Sequence, residues 1–190
     1  MRVHELPCGG VRSRYEQLVD DLRTEFPRFR IVRKDQSAFH RAIHYALIAV
    51  TFGRMRTYLD SFQTTIGATV YVTSDWDDWE PDRRYVTLRH EAIHLRQFRR
   101  FTLPGMAVLY VLLPLPIGLA WFRTHFEKEA YAESIRAAAE VWGSDYPKRP
   151  DFRNHVVSQF VGANYGWMWP FRTAIERWYD EILATLGQQS

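Results

Sequence analysis

Apolar residues recur along most of the chain at the spacing of helices that bury one side. In residues 12–26, for example, Tyr15, Leu18, Val19 and Leu22 fall on one face. The same periodicity predicts further helices over residues 37–59, 82–101, 124–142 and 152–160 and over a last segment that ends near 186. The pattern therefore indicates a mostly helical protein.

Two segments have the composition of strands instead. Residues 30–33 are compatible with a short strand, and residues 64–72 are rich in β-branched side chains. We expect the second segment to form one strand, joined to the third helix by a polar loop over residues 74–82. The sequence thus predicts an α+β fold that is predominantly helical, with a small sheet next to the third helix.

Length and composition limit the class of protein. With 190 residues, 46% of them hydrophobic, the chain can bury one substantial core, and we expect a single domain over residues 1–190. The 25 basic and 22 acidic side chains nearly balance, so a net charge of +3 does not indicate a nucleic-acid partner. The single cysteine, Cys8, excludes an internal disulfide and a cysteine-rich metal site.

Two segments bear on localisation. Residues 1–14 lack the continuous apolar stretch of a signal peptide, so we expect a cytoplasmic protein. Residues 101–122 carry no charged side chain and are long enough to cross a bilayer, but Pro114 and Pro116 interrupt any helix there. We favour a folded-back hairpin, either buried or in peripheral membrane contact, over a transmembrane helix.

The third predicted helix carries an H-E-x-x-H pattern formed by His90, Glu91 and His94. A spacing of four residues places both imidazoles on one face, about 40° apart, so both can reach one cation. Glu91 lies about 100° from His90, where its carboxylate can contact a water on the metal rather than the metal itself. The pattern predicts a zinc site with Glu91 as general base. Two surface histidines beside a solvated glutamate are the alternative.

A hydrolytic zinc site needs a third protein ligand, and the fourth predicted helix offers Glu127, Glu129 and Glu133. At about 100° per residue, Glu127 lies in the middle of the apolar face of that helix. Glu129 and Glu133 lie near the opposite, charged side. Because an inward carboxylate is costly unless it is paired or bound to metal, we predict Glu127 as the third ligand and keep Glu129 as the alternative.

The H-E-x-x-H pattern, preceded by a strand and followed by E-x-E-A, resembles the gluzincin-type zinc metallopeptidases, among them small bacterial zincin-like proteins and membrane-embedded prenyl-protein endopeptidases. Aligning Ala130 with the alanine of their E-x-x-A-D segment places Glu127 at the position of their third ligand. Tyr131 stands where those relatives have an acidic residue that orients a ligand histidine. Gln97, three residues after His94, recurs in small bacterial proteins with an H-E-x-x-H-x-x-Q pattern. The resemblance implies a minimal zincin-like domain.

The resemblance also implies a reaction: hydrolysis of a peptide or protein substrate by a zinc-activated water, with Glu91 as general base. The developing oxyanion needs a second donor besides the metal. Tyr165, in a segment rich in glycine and aromatic residues, is our candidate for this role and His155 the second, with ordinary packing as the alternative for Tyr165. By analogy, the strand over residues 65–72 would be the sheet edge along which a substrate pairs.

A second histidine pair, His40 and His44, has the same spacing, but Arg41 occupies the place of a catalytic glutamate. Their face also holds Ile43 and Leu47, so packed histidines are favoured over a second metal site.

The sequence therefore predicts a zinc-dependent metallopeptidase. The alternative is a non-catalytic module that zinc stabilises, a binding or accessory protein with a possible association with a membrane. In that case the metal would only hold helices together.

Overall fold

The computed structural model describes residues 12–38, 62–106, 121–162 and 169–187, together with Arg41 and Tyr45. Within these ranges most residues are helical and one small sheet is present, so the predicted α+β, predominantly helical fold class is confirmed. Most of the helix predicted over residues 37–59 lies outside the described residues, as do His40 and His44. The single domain over residues 1–190 stays a prediction.

The helices begin and end close to the predicted positions. Their bounds are α1 Arg14–Glu25, α2 Pro81–Met106, α3 Trp121–Trp142, α4 Pro150–Val161 and α5 Arg172–Gly187. Short 3-10 turns are formed by Lys34–Gln36, Trp76–Asp78 and Tyr146–Lys148. Local chemistry explains several ends. Ser13 and Glu16 form a reciprocal capping box at the start of α1, and Gly143 (φ 95) ends α3 in a conformation that favours glycine.

The sheet has three strands: β1 (Arg30–Arg33), β2 (Thr64–Ile66) and β3 (Thr69–Val72). Their order is β1-β3-β2, with β1 parallel and β2 antiparallel to β3. The single strand predicted over residues 64–72 is therefore wrong, because a turn at Gly67 (φ 61) folds this segment into a hairpin. The predicted edge strand needs the same correction, since β3 is central and β2 lies at an edge among the described strands.

Helix α2 contacts α1, β2 and α3, and α1 packs in the same apolar cluster as the sheet. It extends past the predicted end at residue 101, but Thr102 (φ 59, ψ 167) interrupts the regular helix. On one side Leu88 and Leu95 pack against Val70 and Val72 of the sheet. This packing places Glu91 beside β2.

The opposite side of the molecule is a second apolar cluster, built by α3, α4 and α5. Its fully buried members are Ile135, Val156, Val157, Phe160, Ile175 and Tyr179. Tyr85 and Val86 of α2 pack against Ala137 and Ala138 of α3 and so connect the two sides. The interface between α2 and α3 thus lies between two hydrophobic cores.

The uncharged run over residues 101–122 is described only at its two ends, so the predicted hairpin falls mainly outside the described residues. Among the helices of the described ranges, none combines the length and the apolar content that crossing a bilayer requires.

Candidate metal centre

Three buried side chains meet at the interface between α2 and α3. His90 and His94 project from one face of α2, and Glu127 reaches them from α3. The Nε2 atoms of the two histidines are 3.2 Å apart. Glu127 Oε2 lies 3.5 Å from His90 Nε2 and 3.7 Å from His94 Nε2. The structure thus brings together all three residues that the sequence predicted as ligands, as one group that could hold a metal ion.

The three donor atoms have the spacing of a tetrahedral zinc site. With zinc bound at about 2.1 Å from each ligand atom, neighbouring ligand atoms of a regular tetrahedron are about 3.4 Å apart. The observed separations of 3.2, 3.5 and 3.7 Å bracket that value. Two imidazoles and one carboxylate also form a donor set that zinc prefers in hydrolytic sites. These residues therefore fit a zinc ion without rearrangement.

Gln97 fixes the orientation of His94. Its Nε2 donates to the Phe126 carbonyl at 3.2 Å and to Glu129 Oε2 at 2.8 Å, so its Oε1 is the atom that faces His94. Since Oε1 can only accept, His94 Nδ1, 2.9 Å away, carries the proton. The Nε2 lone pair of neutral His94 consequently points toward His90 and Glu127.

Ser134 does the same for His90. The Ser134 hydroxyl donates to the Ala130 carbonyl at 3.3 Å, so its oxygen accepts the Nδ1–H of His90 at 3.1 Å. The resemblance had assigned the orienting position to Tyr131, whose ring instead packs edge-on against His90 with centroids 4.6 Å apart. The sequence analysis missed Ser134. Its spacing of seven residues from Glu127, two helical turns on the same face, is the signal that could have found it.

With both Nδ1 atoms protonated, two nitrogen lone pairs and a carboxylate face one another without a hydrogen between them. Such an arrangement needs a positive charge at its centre, either a proton or a metal ion. In the absence of metal, burial acts to lower the pKa of His90, but the hydrogen bond to Glu127 and the charges of Glu91 and Glu127 outweigh burial and raise it. These groups together favour a positive charge at the centre of the cluster.

Glu91 is held beside this cluster by the sheet. Its side chain is buried, and the hydroxyl of Thr65 in β2 donates to its Oε2 at 2.6 Å. One carboxylate oxygen is thus occupied by Thr65, and the residue lines a cleft together with His90. The hairpin therefore contributes to the site, because its strand β2 supplies the Thr65 hydroxyl that donates to Glu91.

The cleft has a volume of about 270 Å³, and its wall includes Trp79, Arg83 and His155 besides His90 and Glu91. His90 is 12%, His94 10% and Glu127 2% exposed, and of the three only His90 lines the cleft. His155, the second candidate for the oxyanion donor, lines the cleft from α4. Tyr165, the first candidate, lies outside the described residues.

The other two candidate ligands on α3 have different partners. Glu129 accepts from Gln97 and lies 3.4 Å from the exposed His125, and it is not a member of the three-residue group. Glu133 was predicted on a solvated face, but it is 16% exposed and pairs with Arg89 of α2. This correction has a physical reason: α3 packs against α2 along more than its apolar face, and Arg89 neutralises the carboxylate there.

Comparison with known proteins found no relative: no family model, no curated protein and no solved structure matches the chain.

Proposed function

We propose that this protein is a zinc-dependent peptidase in which His90, His94 and Glu127 hold the metal and Glu91 is the general base. The gluzincin resemblance is part of this proposal. The main support is the position of Glu91. This buried carboxylate lines the same cleft as His90, and His90 belongs to a group of three ligand atoms with the spacing of a zinc site. A purely structural zinc site is usually closed by four protein ligands, whereas a catalytic site has three.

When bound, zinc supplies Lewis acidity: it lowers the pKa of a coordinated water towards 7 and polarises a substrate carbonyl. The chain's own residues supply the proton transfers. Thr65 holds one oxygen of Glu91, which leaves the other to accept the proton of the attacking water and later return it to the leaving amine. Gln97 and Ser134 keep both histidines in the tautomer that presents Nε2 to the metal.

A peptide is the substrate class that the surroundings favour. Strand β2 has one neighbouring strand among the described residues, β3, and carries Thr65 at the site. An extended peptide could add to such an edge by main-chain hydrogen bonds, next to Glu91. Peripheral contact with a membrane through residues 101–122 remains a further expectation from the sequence.

Cleavage of a peptide library tests the proposal. The zinc-loaded protein is expected to cut peptides in a reaction that a chelator stops and added zinc restores. Glu91→Gln removes the base while keeping size and hydrogen-bonding capacity, so we expect a rate at least 10²-fold lower with zinc still bound. Mass spectrometry of the products and elemental analysis of each variant provide the two readouts.

Two outcomes would contradict the peptidase. Cleavage that persists in chelator would point to a contaminating enzyme, and zinc binding without any cleavage would favour the accessory module held together by metal. Glu129→Gln is the matched control, because it makes the same chemical change two residues from a ligand and is expected to keep activity.

A further inference from the structure

Arg83 is a cation on the wall of the cleft. It lies on α2, two helical turns before Glu91, and lines the cleft with Thr87, His90 and Glu91. Its guanidinium carbon is 3.4 Å from the ring centroid of Trp79, so the half-buried indole supports the exposed charge from one side. The contact with Trp79 thus places the charge beside the cleft.

Within the described part of the chain, no carboxylate lies within the 4.0 Å ion-pair distance of Arg83. Asp75, in the preceding loop, accepts a hydrogen bond from the Trp79 indole at 2.9 Å. Its pKa is lowered chiefly by hydrogen bonds from Thr73 and Trp79, and Arg83 contributes only a smaller attraction. The cleft carboxylate of Glu91 is bound by Thr65. The guanidinium donors of Arg83 therefore remain for a ligand.

Other arginines on α2 are used differently. Arg89 pairs with Glu133 and Glu140, and Arg96 and Arg99 both pair with Glu25. These three arginines stabilise helix packing, whereas Arg83 faces the cleft.

We propose that Arg83 selects peptides that carry a carboxylate a few residues from the bond that is cleaved beside His90 and Glu91. This inference rests on the proposed function, because the peptide must lie in the same cleft. Seven residues of helix separate Arg83 from His90, roughly 10 Å along the axis. An extended peptide advances about 3.3 Å per residue, so a bound peptide could reach both Arg83 and His90 within a few residues of its length. Guanidinium groups bind carboxylates with paired hydrogen bonds, which gives the selection its chemistry.

The test measures peptide binding in the absence of turnover. Zinc-loaded Glu91→Gln protein is titrated with labelled alanine-rich peptides, capped at both ends, in which one Asp, Asn or Lys is moved through the sequence. We expect the best Asp peptide to bind about fivefold more tightly than its Asn counterpart, the effect of one partly exposed charge pair. A neutral peptide with a free C-terminus distinguishes a terminal carboxylate from a side-chain carboxylate as the source of that gain.

Charge reversal makes the test specific. Adding Arg83→Gln is expected to abolish the preference for Asp over Asn, and adding Arg83→Glu to shift the preference to Lys. Arg100→Gln is the matched control, since Arg100 also lies over an aromatic ring on α2, 5.2 Å from the Phe101 centroid, but does not line the cleft. Equal binding of Asp and Asn peptides, or an Asp preference that survives Arg83→Glu, would overturn the inference.

The same peptides given to the wild-type protein keep the two proposals apart. Asp-selective binding without cleavage would contradict the peptidase and leave the role of Arg83 standing. Cleavage without selectivity for the carboxylate would support the peptidase and overturn the role of Arg83.

Discussion

His90 and His94 present the same ring nitrogen to one point because each donates its other N–H to an oxygen behind it. Gln97 and Ser134 are these acceptors, and each is itself held by a carbonyl of α3. Orientation of a metal-binding histidine in this way commonly changes metal affinity by 10–100-fold. At the scale of single residues, the cluster therefore depends on two neutral side chains as well as on its charged members.

Gln97→Met tests this dependence. Methionine fills a similar volume but cannot accept the His94 Nδ1–H, so zinc affinity is expected to fall about 10- to 100-fold. Competition with a chromophoric chelator measures the change. Glu129→Gln is the control, because the new amide oxygen can still accept from Gln97 and affinity is expected to stay near that of the wild type. Equal affinities for Gln97→Met and the wild type would show that Gln97 does not orient His94.

At the scale of elements, the sequence predicted helices better than strands. The periodicity of the α2 and α3 segments extends over many turns, and the helix starts lie within a few residues of the prediction. The hairpin was missed because the β-branched run over residues 64–72 hides a two-residue turn whose main signal is Gly67. That turn directs β3 back along β2, and β2 carries Thr65, which contacts Glu91.

Gly67→Ala probes the hairpin. A Cβ at this position meets no heavy atom within 4 Å, so the cost comes from the positive φ alone and is expected to be about 1 kcal/mol in the free energy of unfolding. Urea unfolding followed by circular dichroism provides the measurement. Gly67→Asn should cost less, since asparagine tolerates this conformation. If alanine and asparagine have the same effect, the turn does not impose the strain inferred here.

Periodicity can place Ser134 on the same face as Glu127, but it could not show which residues contact one another across the site. Thr65 lies 26 residues from Glu91, and Ser134 lies 44 residues from His90. Each contact depends on how α2 packs against another element, and no local pattern encodes that packing. The proximity of His90, His94 and Glu127 could be predicted because helical spacing is local and a carboxylate on an apolar helix face is unusual.

At the scale of the whole molecule, the cluster joins the two hydrophobic cores. His90 and His94 belong to the helix that packs on the sheet, and Glu127 belongs to the helix that packs on α4 and α5. A bound cation would therefore link both sides, and its binding free energy would add to the free energy of unfolding.

Thermal unfolding with and without zinc measures this link. At free zinc 1,000-fold above its Kd, the folded state should gain about 4 kcal/mol, which appears as a higher Tm. Glu127→Ala is expected to remove most of the zinc-dependent rise, while Glu129→Gln keeps it. A Tm that does not respond to zinc or chelator would contradict a metal that bridges the two cores.

Metal content is the most direct measurement of the central claim, that two imidazoles and one buried carboxylate bind a single zinc ion. Elemental analysis of the purified wild type is expected to give about one zinc per chain, with near-complete loss in His94→Ala and Glu127→Ala and retention in Glu129→Gln. A wild type without stoichiometric metal, or Glu127→Ala protein that keeps as much zinc as the wild type, would contradict the assignment.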